Sequence, residues 1–127
     1  MYTTGSNNLG QLGIDSLESQ VCAPTLVEYL SDKSIQEIAC GEGSFAISNT
    51  GEMYAWGLYN LEVYRKPFLP SGITRAVTAI SQSFQGVTAA VDVEGQAWYW
   101  QTQLDREGSN LMKLPPHPTV IRQMRKR

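Results

Sequence analysis

The chain has 127 residues and a mass of 14.1 kDa, the size of one small domain, which excludes an elaborate multidomain enzyme. Its composition, 42% hydrophobic, 17% charged and 9% aromatic, is globular rather than disordered, fibrous or membrane-spanning. A net charge of −2 carries no global nucleic-acid signature, although Arg122, Arg125, Lys126 and Arg127 gather four of the ten basic residues into the last six positions.

In chain order, Tyr2 to Gly5 reads as a strand, followed by the loop Gly5-Ser6-Asn7-Asn8-Leu9-Gly10-Gln11-Leu12-Gly13 and, after Pro24, a strand over Thr25 to Leu30. Ile35 to Gly41 supplies the next strand. Phe45 and Ile47 then share one face of a short run, and Tyr54 and Trp56 alternate likewise beyond Asn49-Thr50-Gly51-Glu52. That tight-turn sequence, with Gly free to adopt positive φ, predicts an antiparallel hairpin. A second set follows: Thr74 to Ser81, then Val87, Ala89, Val91 and Val93 on one face, the turn Val93-Glu94-Gly95-Gln96, and Trp98 with Trp100. Thr119 to Met124 is a candidate for one more strand. No segment of about 11 residues or more keeps a helical period free of Gly, Pro or β-branched interruption.

The elements repeat. Gly51 to Gly57 is echoed by Gly95 to Gln101, an offset of 44, with Tyr54 over Trp98 and Trp56 over Trp100. Ser44 to Ser48 matches Thr88 to Asp92, and Tyr2-Thr3-Thr4-Gly5 matches Tyr54-Ala55-Trp56-Gly57 at an offset of 52, the extra eight residues falling in the loop before Pro24. Periods of this size belong to propellers and arrays. The expected fold is all-β, with antiparallel four-stranded propeller-type blades in an incomplete propeller of two to three blades. Residues 1–116 form the blade repeats, in approximate units 2–52, 53–96 and 97–116, and 117–127 is a basic tail or the start of a further strand.

The loop after the first strand has the form G-x-N-x-x-G-Q-L-G. It resembles the signature of the regulator of chromosome condensation repeat family, whose units continue with Pro, a strand, I-x-C-G and a hairpin ending in Gly and aromatics. The sequence supplies Tyr2, Gly5, Asn7, Gly10, Gln11, Leu12, Gly13, Pro24, Val27, Ile38, Ala39, Cys40, Gly41, Gly51, Tyr54, Trp56 and Gly57 in that order. The resemblance covers 2–57 well and 74–101 moderately. Thr4 stands in place of the family Trp, Gly41 to Ser44 lacks its His-Thr pair, Leu58 to Tyr64 has lost the G-Q-L-G loop, and Gln101 replaces the second Gly of a Trp-Gly pair. Gly5, Asn7, Gly10, Gln11, Leu12, Gly13, Trp56, Gly57 and Trp100 are therefore read as structural motif positions. Glycines 10 and 13 allow backbone conformations closed to other residues, and Asn7 and Gln11 can bond loop backbone. The alternatives are a ligand contact by Asn7 or Gln11 and exposed anchors at Trp56 or Trp100.

No catalytic residue, cofactor or metal is expected. Cys22, Cys40 and the single His117 cannot build a zinc site without carboxylates, and His117 lies in the stiff stretch Pro115-Pro116-His117-Pro118, a poor seat for a general base. The pairs Asp92/Glu94 and Asp105/Glu107 read as solvated turn and loop charge. Neither a secretory signal nor a membrane-length apolar run is present, so the expected setting is intracellular, cytoplasm or nucleus, or a virus particle.

Three functions compete. The first is a non-enzymatic protein-binding or structural module that contributes blades to a larger assembly, such as a homo-oligomer or a virion. The second is a nucleic-acid-associated protein using Arg122, Arg125, Lys126 and Arg127 as a candidate polyanion-binding arm, against a merely solvated tail. The third, implied by the resemblance, is an exchange-factor-like regulator of a small GTPase. Two to three blades leave apolar faces and strand edges open, so self-association, a partner chain or a longer propeller must cover them.

Overall fold

The computed structural model describes residues 1–41, 43–59, 62–70, 72–73, 76–82, 87–101 and 118–120. Its strands are β1 (Tyr2–Ser6), β2 (Gln20–Leu26), β3 (Ile35–Cys40), β4 (Gly43–Ser48), β5 (Met53–Tyr59), β6 (Glu62–Phe68), β7 (Val77–Gln82), β8 (Val87–Asp92), β9 (Ala97–Gln101) and β10 (Thr119–Val120). They make a two-stranded hairpin, β1-β2, and two four-stranded sheets, β3-β4-β5-β6 and β7-β8-β9-β10. Every pairing is antiparallel. This is the all-β, four-stranded blade architecture expected from the repeats.

The repeat extends to local irregularities. The register shifts opposite Thr3 to Gly5, where β2 carries the extra residues, and opposite Ala55 to Gly57, 52 residues on, where β6 carries them. β3 is irregular between Ile35 and Glu37, and β7 between Val77 and Ala79. The β4-β5 and β8-β9 turns each use a left-handed glycine, Gly51 at φ 87° and Gly95 at φ 81°, as tight turns of this kind require. The sheets themselves span 35–68 and 77–120, so a sheet and a sequence period begin at different places.

Two strands differ from expectation: β6, Glu62–Phe68, pairs with β5 where the sequence pattern marked no strand, and the strand after Pro24 has other bounds. Thr25 to Leu30 is not a single strand: β2 begins at Gln20, ends at Leu26, and gives way to a 3-10 turn over Glu28–Leu30. Val27 and Leu30 are both fully buried in one cluster, and a period of two would send them to opposite faces, whereas a 3-10 turn superposes residues three apart. Thr119 and Val120 pair with Tyr99 and Trp98, and the rest of the run to Met124 lies outside the described residues.

Two cores follow from the alternation. β4 is buried along its whole length, because its faces serve different neighbours. Phe45 and Ile47, with Met53, Ala55 and Tyr59 of β5, pack against Val77, Ile80, Ala90, Trp98 and Trp100 of the second sheet. Ala46, with Tyr54 and Trp56, packs the other way against Val27 and Leu30. The sheet over 35–68 is thus enclosed on both sides.

Candidate functional site

The G-x-N-x-x-G-Q-L-G loop is clamped onto the first four-stranded sheet. Asn7, 1% exposed, is its organiser: Nδ2 donates to Ser16 O (3.0 Å) and Glu18 O (2.8 Å), and Oδ1 accepts from Leu12 N (3.2 Å). Gln11 Oε1 accepts from Leu9 N at 2.8 Å, so the side chain is engaged within the loop. The Gln11 carbonyl faces the sheet, accepting from Trp56 Nε1 at 2.7 Å and Ser44 Oγ at 2.8 Å. Leu12 is buried, and its carbonyl accepts from Thr3 Oγ1 at 2.7 Å.

Gly10 and Gly13 stand at φ 72° and 71° where the loop touches the blade. A Cβ on Gly10 would lie 2.8 Å from Arg65 Cγ and 2.9 Å from its Cα; one on Gly13 would lie 2.8 Å from Trp56 Nε1. Gly5 and Gly57 sit at the register shifts with φ 112° and 82°. Trp56 is 1% exposed and Trp100 fully buried. Arg122, Arg125, Lys126, Arg127, His117, Asp105 and Glu107 lie outside the described residues.

Two contributors were not legible in the sequence. Arg65 on β6 donates from Nη1 to Asn7 O (3.3 Å) and Ser16 O (3.0 Å). Asp92 is not solvated turn charge but 1% exposed: Oδ1 accepts from Glu94 N and Gln96 N, and Oδ2 from Trp98 Nε1 at 3.1 Å. Asp92 stands where Ser48 stands in the first hairpin, and Ser48 Oγ likewise accepts from Glu52 N. A carboxylate 44 residues after a turn-capping hydroxyl was the available signal.

Electrostatics are quiet. Burial pushes the Tyr59 phenol well above its usual range, and a hydrogen bond from Tyr64 to Glu62 raises the Tyr64 phenol. Among the described residues, no group of three or more His, Cys, Asp or Glu is placed to hold a metal ion. A shallow groove of about 350 Å³ is lined by Thr50, Glu52, Met53, Leu69, Ile73 and Ala76 among others, without a cluster of reactive groups. No helix among the described residues is long and apolar enough to cross a membrane.

The unlike feature is a face. Phe45 and Ile47 are covered by the second sheet, whereas their counterparts 44 residues on, Ala89 and Val91, are exposed. Val93, at 60% exposure, extends that strip.

Comparison with known proteins bears out the repeat. Residues 1–47 match the Regulator of chromosome condensation (RCC1) repeat. Residues 1–47 are thus similar to an RCC1 repeat. It is 39% identical over 69 residues to Protein RCC1 of Candida albicans, a match covering 49% of this chain and 15% of that protein. It is 38% identical over 58 residues to the X-linked retinitis pigmentosa GTPase regulator of Canis lupus familiaris, 45% of this chain and 6% of the relative. The E3 ubiquitin-protein ligase HERC2 of Homo sapiens is 40% identical over 60 residues, 45% of this chain and 1% of the ligase.

The fold likeness reaches further than the RCC1 repeat match. The crystal structure of Prp20p from Saccharomyces cerevisiae superposes on 96% of this chain with a TM-score of 0.77 at 19% identity, and human WBSCR16 on 94% with 0.75 at 20%. This chain covers 34% and 32% of those two chains, so it spans about a third of these solved structures and 15% or less of the relatives named above.

Proposed function

We propose that the chain is a non-enzymatic protein-binding module whose RCC1-type blades work within a larger assembly. The observation that carries this reading is the strip Ala89, Val91 and Val93, exposed on the second sheet although the equivalent face of the first is core. In this assembly another sheet, from a partner chain or a further copy of this one, seats on that strip as the second sheet seats on Phe45 and Ile47. A ring of copies or a repeated particle such as a virion supplies such a neighbour by symmetry. The structurally similar Prp20p is described with binding properties to Gsp1p and histones, and yeast RCC1 is found bound to Kap60, which supports a protein-binding reading.

The test is a pair of charges on the strip. Ala89→Glu with Val91→Glu should leave the strand content unchanged by circular dichroism and abolish the association measured by size-exclusion chromatography with light scattering. Association that survives the double change would refute the assignment of this face. A second reading, regulation of a small GTPase, is favoured only by the similarity to a protein named a GTPase regulator; faster nucleotide release from a GTPase on adding the chain would establish it.

A further inference from the structure

The blade plan of this chain is complete twice and half-made once. In the first four-stranded sheet β5 has β6 on one edge and β4 on the other, and in the second β9 lies between β10 and β8. β1 is the copy of β5 that begins the chain, with Tyr2 and Thr4 at the places of Tyr54 and Trp56. Among the described residues β1 is paired with β2 alone. The half-made blade lacks the two strands that β3-β4 and β7-β8 supply to the others.

The backbone of β1 is set to receive them. Met1 O accepts from Val27 N at 3.0 Å and Asn7 N donates to Ser19 O at 2.8 Å, so both residues turn toward β2. Backbone groups alternate in direction along a strand, which aims those of Tyr2 and Thr4 at the open edge. In the complete blades, Tyr54 and Trp56 stand opposite Ala46 and Ser44 of β4, and Trp98 and Trp100 opposite Ala90 and Thr88 of β8.

A side chain reports the same gap independently. Ile38, Ala46 and Tyr54 form one row across the first sheet, on the face that packs against Val27 and Leu30. Ile80, Ala90 and Trp98 form the matching row across the second. Ala46, Tyr54, Ala90 and Trp98 are all buried, and so is Ile80 at 7% exposure, but Ile38 is 54% exposed. β3 and β4 lie over β7, and Ile80 shares a core with Phe45 and Ile47. Over Ile38 the corresponding strands are the two that the half-made blade lacks.

We propose that the β1 edge and Ile38 form one docking site for a β-hairpin of another polypeptide, its second strand added antiparallel to β1. The internal examples state its chemistry: Ala opposite Tyr2 and Ser or Thr opposite Thr4, with larger apolar residues alternating between them and turned onto Ile38, as Phe45 and Ile47 turn onto Ile80. Main-chain bonds along the edge give affinity and the alternate side chains give selectivity. A second copy does not supply this hairpin, because its strand pairs of this kind, β3-β4 and β7-β8, are held by its own β5 and β9. Residues 102–127 contain no alanine with which to repeat the pattern.

The site rests on the reading of the chain as a protein-binding module, but it lies on the side of the first sheet away from the second sheet and its Ala89 to Val93 strip, and its test reads other residues. The probe is a synthetic peptide of residues 35–49, the chain's own strand pair of this kind, titrated into the full chain and followed by hydrogen exchange and methyl resonances. The Tyr2 and Thr4 amides should slow about tenfold or more on binding, and the Ile38 methyl signals should shift while those of Ala89 and Val91 stay. Thr4→Pro removes an N–H from the open edge and leaves the pairing with β2 intact; Ile38→Lys acts from a different strand. Each should weaken peptide binding about tenfold. No protection at the highest peptide concentration, protection without a shift at Ile38, or binding indifferent to both changes would overturn the proposal. If Thr4→Pro does not fold, Ile38→Lys decides alone. Association that survives Ala89→Glu with Val91→Glu would refute the strip and leave these readouts standing.

Discussion

At the scale of single residues, glycines with nearly the same φ should differ sharply in tolerance. Gly13→Val adds a Cβ 2.8 Å from Trp56 Nε1, and Gly10→Val one 2.9 Å from backbone of Arg65; each should cost about 3 kcal/mol in urea denaturation, from left-handed strain plus the clash. Gly95→Ala, whose Cβ meets nothing within 4 Å, should cost about 1 kcal/mol. Equal losses would show that strain alone governs the loop. Asp92→Ala leaves a buried indole N–H and two turn amides without their acceptor, and should cost about 2–3 kcal/mol by the same measurement. Tyr59 sets the response to alkali. Burial raises its phenol above the ordinary 10.0, so the folded state favours the neutral form. That stabilisation is complete below pH 10 and is lost as pH rises toward the folded value. Tyr59→Phe should flatten the fall in thermal stability above pH 10; an unchanged slope would contradict the burial of this hydroxyl. Asp92 shows why residue roles were only partly legible: its position in a turn was plain, but its acceptors' job depends on Trp98 folding back six residues later.

At the scale of elements, the β4-β5 and β8-β9 hairpins were readable because their causes are local: period-two apolar residues at Phe45/Ile47 and Val87/Ala89/Val91, with a glycine at each of those two turns, whereas β6, whose connection to β5 has no glycine, was not. The strand over Thr25 to Leu30 was misread because Val27 and Leu30 serve one core together, a tertiary demand absent from the local pattern. Equally invisible was Arg65, which acts on Asn7 and Ser16 from 58 and 49 residues away. The motif residues mark where the loop lies, and Arg65 with Ser44 and Trp56 fixes it there. Arg65→Ala should therefore speed hydrogen exchange of the loop amides of Asn7, Gly10 and Gly13 about fivefold to tenfold, the scale of a net hydrogen bond of about 1 kcal/mol. Amides within β4 should not respond. Protection unchanged throughout the loop would mean that the Arg65 side chain does not hold it.

At the scale of the whole molecule, the two four-stranded sheets have unequal surroundings. The first is core on both faces, while the second carries Ala89, Val91 and Val93 on a face that the repeat assigns to packing. Which residues bear that inequality could not be read from the sequence, because exposure depends on which sheet lies against which. Small side chains at Ala89 and Val91, where the first sheet has Phe45 and Ile47, suit a close sheet-on-sheet approach. The central claim is that this face works covered. Static light scattering of the purified 127-residue chain, alone and with its co-purifying partner, tests it most directly. The account predicts a native mass well above the 14.1 kDa of one chain, as a symmetric multiple or a heteromeric complex; a stable monomer of that mass, unfolding cooperatively with no partner, would contradict it.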